Sequence, residues 1–143
     1  MSDQQQGIIP HLVVDDAAKA IDFYTRAFGA TEVMRVPAED GKRLLHAELT
    51  LNGARLFLHD DFPEYRDCNG ERKIKPAPAL GGTPVALHLM VPDCDAAVAR
   101  AVEAGATVTM PPMDAFWGDR YGQISDPFGH AWSFAHPLQG GGG

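Results

Sequence analysis

The sequence predicts an α+β fold built from two tandem β-α-β-β-β modules, and an internal repeat is the main reason. His11-Leu-Val-Val leads through an Ala-rich helical stretch to Gly29-Ala-Thr, and His88-Leu-Met-Val leads in the same way to Gly105-Ala-Thr. The separation is 18 residues in the first copy (11 to 29) and 17 in the second (88 to 105). A repeat of this kind indicates one supersecondary unit built twice. A chain of 143 residues with 45% hydrophobic residues can bury one shared core.

The first module, residues 7–60, begins with a strand over 8–14, and Asp15 or Asp16 then caps a helix that ends at Gly29. Four residues at helical spacing form its buried face: Ala17, Ile21, Tyr24 and Phe28. Three strands follow, over residues 31–36, 44–51 and 55–59. The last two are joined by Asn52-Gly53, which is typical of a tight hairpin turn.

The second module, residues 83–138, repeats this order after a polar, Pro-rich linker or flap over 61–82. Asp93 or Asp95 caps its helix, with Val98 and Val102 inward, and Gly105 ends it. Strands are predicted over 84–91, 107–110, 120–125 and 130–136; Pro111-Pro112 is expected to break the second of these. Residues 139–143 are expected to form a flexible tail.

Composition restricts the classes of partner. A formal net charge of -7 and no Lys/Arg stripe argue against nucleic acid. No apolar run reaches the ~20 residues that a membrane helix needs. Cys68 and Cys94 form no CxxC pair, and with no signal peptide visible this pattern indicates a reduced cytoplasm. A neutral or cationic small molecule is the expected partner.

Strand alternation separates two faces of each sheet. One face is apolar and is expected to pack under the helices: Leu12, Val14, Leu45, Ala47, Leu49, Leu51, Leu56, Leu58, Val85, Leu87, Leu89, Val91, Trp132 and Phe134. The opposite face is mixed and includes His11, His46, Glu48, Arg55, Phe57, His59, His88, Met90 and Ser133. If the two sheets curve toward each other, the mixed face lines a cleft in which Phe57 and Met90 contact a ligand.

The loop Phe116-Trp-Gly-Asp-Arg-Tyr is expected to border this cleft. In a binding role Trp117 and Tyr121 stack on a planar ligand, while Arg120 pairs with an anionic group. In a purely structural role Asp119 pairs with Arg120, and Trp117 covers the end of the sheet. The sequence leaves both interpretations open.

Five motifs carry a resemblance to a known family: Ile21-Asp-Phe-Tyr-Thr-Arg-Ala-Phe-Gly-Ala, His46-Ala-Glu-Leu, Leu80-Gly-Gly-Thr-Pro-Val, Phe116-Trp-Gly-Asp-Arg-Tyr-Gly and Asp126-Pro-Phe-Gly-His. With the duplicated module, they resemble the vicinal oxygen chelate superfamily of glyoxalases, bleomycin-resistance proteins and dioxygenases, in its PhnB-like branch. The resemblance implies a half-open barrel around a cleft, assembled as a homodimer.

Metal-using members of that family take one His, Gln or Glu ligand from each of the first, fourth, fifth and eighth strands. Counting from the helix ends and hairpin turns places these positions on Ile9, Phe57, Ala86 and Ser133. The first three cannot ligate a divalent ion, and a serine is a poor ligand. The resemblance therefore implies a binding protein that sequesters a small molecule without the usual metal quartet and with no assured cofactor.

An enzymatic alternative remains, because three histidines lie two residues further along three of the same strands. His11, His59 and His88 would hold Zn, Fe, Ni or Mn, and Glu48 would act as a fourth ligand or as the catalytic base. Such a protein would be a metal-dependent lyase, isomerase or oxygenase.

Overall fold

The computed structural model describes residues 6–138, and the tail predicted over 139–143 lies outside them. The elements are β1 (His11–Val14), α1 (Ala17–Phe28), β2 (Thr31–Pro37), β3 (Leu44–Leu51), β4 (Ala54–Asp60), α2 (Ala77–Leu80), β5 (Ala86–Met90), α3 (Cys94–Ala104), β6 (Thr107–Asp114), β7 (Asp119–Ser125) and β8 (Ala131–Pro137). The predicted α+β class and the repeated strand-helix-strand-strand-strand order are confirmed.

The strands form two four-stranded sheets that do not close on each other. The first sheet has the order β1-β4-β3-β2 and the second has the order β5-β8-β7-β6. In each sheet the first strand pairs in parallel with the last, and the other pairs are antiparallel. His11 is level with Phe57 in the first sheet, and His88 is level with Ser133 in the second. The two pairs occupy equivalent places in the repeat.

Each helix begins at one of the two aspartates predicted to cap it. The caps are Asp16 rather than Asp15 for α1, and Asp93 rather than Asp95 for α3. Asp16 accepts a hydrogen bond from the Lys19 backbone N–H, and Asp93 accepts one from that of Ala96. These aspartates satisfy amide groups that the first helical turn leaves without partners. Gly29 ends α1 in the left-handed region at φ 75°, where a glycine avoids the Cβ penalty.

One core runs through both modules, because α1 and α3 pack against each other. The Phe28 ring from α1 lies 4.5 Å from the Trp132 ring of β8, measured between centroids. The Tyr24 hydroxyl donates to the buried Asp126 carboxylate at 2.6 Å, and Trp132 Nε1 donates to the same carboxylate at 2.8 Å. A side chain of the first module is thereby tied to a turn of the second. Among the described residues, no helix is long and apolar enough to cross a membrane.

Three residues predicted to face the core are exposed instead. Leu45 and Val85 are 45% and 60% exposed, and Val102 is 43% exposed on α3. The β2–β3 register skips Leu45, since Val36 pairs with His46 and Pro37 pairs with Leu44. This bulge buries Leu44 in the core and turns Leu45 away from it. Val85 precedes β5, where strand alternation does not constrain it.

The prediction that Pro111-Pro112 ends its strand was wrong. Strand β6 continues from Thr107 to Asp114 through both prolines. It lies at the edge of the second sheet, and its pairing with β7 shifts register between Met110 and Met113. An edge strand with a bulge accommodates proline because no ladder hydrogen bond is required of the missing N–H.

Candidate functional site

We call the side of each sheet that lies away from α1 and α3 its open face. Buried Leu12, Leu49, Leu58 and Phe134 belong to the helix side, whereas His11, His46, Phe57, His59, His88, Met90, Tyr121 and Ser133 belong to the open faces. Predicted binding and metal-ligating residues from both modules thus lie on the same kind of surface. The two open faces are chemically different.

The open face of the first sheet carries a cluster in which His11 contacts two other imidazoles and a phenyl ring. The His11 ring centroid lies 4.9 Å from that of His59 and 5.9 Å from that of His46, and the His46 centroid lies 4.7 Å from that of Phe57. All three contacts are edge-to-face. Burial lowers the pKa of His11, and the neighbouring His59 and His46 lower it further. The arrangement therefore favours the neutral imidazole of His11.

The polar groups around this cluster are held in fixed roles. His59 Nδ1 lies 2.6 Å from the backbone oxygen of Asp60. Because a carbonyl only accepts, Nδ1 carries the proton, and in the neutral ring Nε2 is left as an acceptor. Glu48, the predicted base, pairs with Arg55 at 3.0 Å. The Arg55 guanidinium also lies over the Phe57 ring, 5.3 Å from its centroid.

The open face of the second sheet carries an aromatic strip. The His88 and Tyr121 rings are stacked at 6.1 Å between centroids, and the Trp117 ring lies edge-on to Tyr121 at 5.4 Å. His88 Nδ1 is 2.7 Å from Ser133 Oγ, and His88 Nε2 is 3.3 Å from Met90 Sδ. Of the predicted ligand-binding residues, the strip brings together Met90, Trp117 and Tyr121.

Arg120 does not join this strip. Its guanidinium donates to Asp95 of α3 at 2.9 Å and to Asp114 of β6 at 3.0 Å. These two carboxylates raise its pKa further above the ordinary value. Asp119 accepts from Trp117 Nε1 at 3.1 Å. Arg120 alternates with Tyr121 along β7 and lies on the helix side, so the structure separates it from the other predicted ligand-binding residues.

A cavity of about 440 Å³, which we call the chamber, opens between the first sheet and the segment over 61–74. Val13, Leu45 and His59 line it from the sheet, and Phe62, Tyr65, Arg72 and Ile74 line it from the segment. The Phe62 and Tyr65 rings are stacked with an interplanar angle of 10°. The bulge in β3 and the predicted flap together build this space.

Arg43, the residue before β3, connects the first sheet to the start of that segment. Its guanidinium pairs with Glu64 at 2.8 Å and with Asp40 at 2.7 Å, and it lies over the Phe62 ring at 4.3 Å from the centroid. These contacts place the Phe62 and Tyr65 stack above the open face.

The predicted metal ligands are only partly brought together. His11 and His59 are neighbours, but the third imidazole beside His11 is His46, and His88 contacts Ser133 on the second sheet. Across residues 6–138, no group of three or more His, Cys, Asp or Glu side chains is arranged to hold a metal ion. Strand alternation already put His46 on this face, so its place in the cluster was accessible from the sequence.

The strand register gives the partners of the counted positions on β4 and β8. Phe57 and Ser133 are level with His11 and His88, two residues beyond Ile9 and Ala86. Each equivalent pair thus contains one imidazole. Its partner is Phe57, which has no ligand atom, in the first sheet and Ser133, a poor metal ligand, in the second.

Comparison with known proteins identifies related sequences and folds. The family model described as the Glyoxalase/Bleomycin resistance protein/Dioxygenase superfamily matches residues 8–134. The uncharacterized protein Mb0911c of Mycobacterium bovis is 53% identical over 135 residues, covering 94% of this chain and 86% of its own. TioX from Micromonospora sp. ML1 superimposes with a TM-score of 0.71 at 27% identity, covering 93% of this chain and 99% of TioX. TnmS3, an antibiotic binding protein from Streptomyces sp. CB03234, superimposes with a TM-score of 0.60 at 27% identity, covering 92% and 97%.

Proposed function

The chain belongs to the glyoxalase/bleomycin resistance protein/dioxygenase superfamily, and we propose that it is a member that binds a small planar molecule on its open faces. The observation that carries the proposal is the aromatic lining. Phe57 with three imidazoles on one sheet, and Tyr121, Trp117 and His88 on the other, present ring surfaces on the side of each sheet away from the helices. Pockets that bind small organic molecules are typically lined in this way.

The pairs His11–Phe57 and His88–Ser133 support binding without the usual metal quartet. Phenyl offers no ligand atom, and the Ser133 hydroxyl is already within hydrogen-bonding distance of His88. TnmS3, a structural neighbour at 27% identity, is an antibiotic binding protein. A sequestering role for the present chain is consistent with that likeness.

Charge argues for a neutral or cationic ligand. The formal net charge is -7. Near the open face of the first sheet, Arg55 is paired with Glu48 and Arg72 with Asp61. An anionic ligand would have to compete with those carboxylates, whereas a flat neutral or cationic molecule gains from the π surfaces.

The assembly that we propose is a cytoplasmic homodimer. Several large apolar side chains are exposed, among them Val85 and Met90 near the second open face and Val33 and Met34 on β2. A second copy that covered part of these surfaces would remove apolar area from water and deepen the cleft. The thiols Cys68 and Cys94 are both free, as a reducing compartment would keep them.

The test is a binding screen with paired variants. Planar aromatic compounds should raise the melting temperature of the wild-type protein. Phe57→Ala and Tyr121→Ala should each weaken binding about tenfold, the scale of one lost aromatic contact. Val102→Ala, an exposed change on α3, is the matched control and should leave affinity unchanged. Equal affinities in all four proteins would contradict binding on the open faces.

A second candidate function is a metal-dependent lyase, isomerase or oxygenase, favoured by the contact between His11 and His59. Neutral His59 keeps an acceptor at Nε2, and His46 or His88 would supply a third imidazole. Elemental analysis of protein purified without chelators should then find about one metal per chain, lost in His11→Ala/His59→Ala. Metal in neither protein after incubation with Zn²⁺, Fe²⁺, Ni²⁺ and Mn²⁺ would reject this candidate.

A further inference from the structure

We propose that the chamber is a selective subsite for a neutral aromatic molecule that carries a carbonyl acceptor and a hydroxyl donor, recognised by Arg72 and His59. This inference rests on the proposed binding function and names the class of ligand. It assigns a role to the segment over 61–74, which supplies Arg72 and a stacked pair of aromatic rings.

Arg72 supplies a donor that the protein leaves unused. Both oxygens of Asp61 accept from Arg72 Nη2. Its Nε–H is buried, and in residues 6–138 it stands out as a buried side-chain polar group without a hydrogen-bond partner. Burying an unpaired donor costs about 1–3 kcal/mol, so a small turn of the guanidinium that brings this N–H to a ligand oxygen in the chamber is favoured. The carbonyl of a bound molecule would satisfy this group.

His59 supplies the complementary acceptor. Its Nδ1–H is committed to the backbone oxygen of Asp60, which fixes the tautomer and leaves Nε2 with a lone pair. His59 lines the chamber from β4, and Arg72 lines it from the segment over 61–74. A molecule between them is therefore offered one donor and one acceptor, and a hydroxyl group suits the acceptor.

The remaining lining sets the size and charge of the ligand. Val13, Leu45 and Ile74 are apolar, and the Phe62–Tyr65 stack presents ring surface. The charged lining side chains are balanced, three of each sign: Asp61, Asp67, Glu71, Arg66, Arg72 and Lys73. Because Asp61 neutralises Arg72, a carboxylate ligand would face a carboxylate already in place. A cavity of about 440 Å³ suits a two- or three-ring molecule. These features together favour a flat, uncharged molecule with polar groups at its ends.

Three bicyclic probes test the proposal in isothermal titration of the full chain: 7-hydroxycoumarin, coumarin and naphthalene. They carry a hydroxyl with a carbonyl, a carbonyl alone, and neither. Wild-type affinity should fall in that order, by about tenfold at each step, the size of one hydrogen bond to a charged or well-placed group. Titrations at pH 7.0 keep most of the hydroxyl of the first probe protonated and avoid the more acidic range in which an imidazole loses its acceptor nitrogen.

Two variants distinguish the loss of a polar contact with the ligand from a loss of folding. Arg72→Lys retains a cation for Asp61 but lacks an Nε donor, so affinity for both coumarins should fall about tenfold while that for naphthalene is unchanged. His59→Phe retains a ring but lacks the acceptor, so only 7-hydroxycoumarin should weaken. Arg26→Lys, on the exposed surface of α1, is the matched control and should leave the order of the three probes intact.

The proposal is overturned if the wild-type protein binds the three probes equally or binds none of them up to their solubility limits. It is also overturned if Arg72→Lys and the control Arg26→Lys behave alike. These results are distinguishable from failure of the proposed function. A ligand that raises the melting temperature and depends on Tyr121 but not on Arg72 would reject the chamber and retain binding on the open faces.

Discussion

At the scale of single residues, two buried aspartates organise the chain without belonging to the candidate site. Asp60 accepts from the backbone N–H groups of Ala17 and Leu44 at 2.8 and 2.6 Å, joining the start of α1 to the start of β3. Asp126 accepts from Tyr24, from Trp132 and from two backbone N–H groups in its own turn. A buried carboxylate is tolerated here because every oxygen is supplied with donors.

Asp126→Asn should destabilise the protein strongly. The amide NH₂ of asparagine would be placed against donors that now point at a carboxylate oxygen, so at least one buried donor loses its acceptor. We expect the free energy of unfolding, measured in urea, to fall by about 2–4 kcal/mol. Asp22→Asn, on the exposed surface of α1, should change it by less than about 0.5 kcal/mol. A small effect at Asp126 would contradict its assigned role.

The buried hydroxyl of Tyr24 leads us to expect that the protein loses stability at alkaline pH. Burial raises its pKa well above the ordinary value near 10, and Asp126 raises it further. Below about pH 10 both folded and unfolded states keep the proton, whereas above it the unfolded tyrosine ionises first and unfolding becomes more favourable. The free energy of unfolding should therefore fall between pH 10 and 11.5, and Tyr24→Phe should remove part of that slope. Tyr65→Phe, at an exposed ring, should leave the slope as in wild type.

Residue patterns in the sequence predict part of the candidate site. Alternation places His11, His46, His59 and His88 on the mixed faces, and the structure has them there. It does not show that His11 turns toward His46, because side-chain rotation depends on neighbours in three strands. No sequence pattern identifies Arg72 as a site residue. Its importance depends on a loop path that no periodicity encodes.

At the scale of elements, the fold was largely predictable because local patterns agree with one another. The capping aspartates, the glycines that end α1 and α3 and the Asn52-Gly53 turn are independent observations that select one element order. Two of the failures lie at bulges. Leu45 and the strand through Pro111-Pro112 depart from strict alternation where register shifts, and such shifts depend on pairing with the neighbouring strand.

The turn between β7 and β8 offers a test of close packing between elements. Gly129 has φ +88°, and a Cβ added there would lie 2.9 Å from the Ala77 Cβ of α2. Gly53 has a similar φ of +80°, with nothing within 4 Å of the added atom. Both alanine substitutions should cost about 1–2 kcal/mol of backbone strain. Gly129→Ala should cost at least about 1 kcal/mol more in urea unfolding, because Ala77 cannot rotate away. Equal costs would contradict this packing.

At the scale of the whole molecule, the helices cover one side of both sheets and leave the other side uncovered. Exposed apolar side chains near that side predict that two copies associate. Sedimentation equilibrium between 1 and 100 μM should give about twice the chain mass of 15.4 kDa. A single species of 15.4 kDa across that range would contradict the homodimer.

Mapping a bound ligand by NMR tests the central claim most directly. In ¹H–¹⁵N spectra of the protein titrated with 7-hydroxycoumarin, we expect the largest saturable shifts at backbone amides of β1, β4 and residues 61–74, with small shifts in α1 and α3. This distribution would place the ligand on the open faces and in the chamber. Saturable shifts concentrated in α1 and α3, or no shifts at the solubility limit, would contradict a binding site on the open faces.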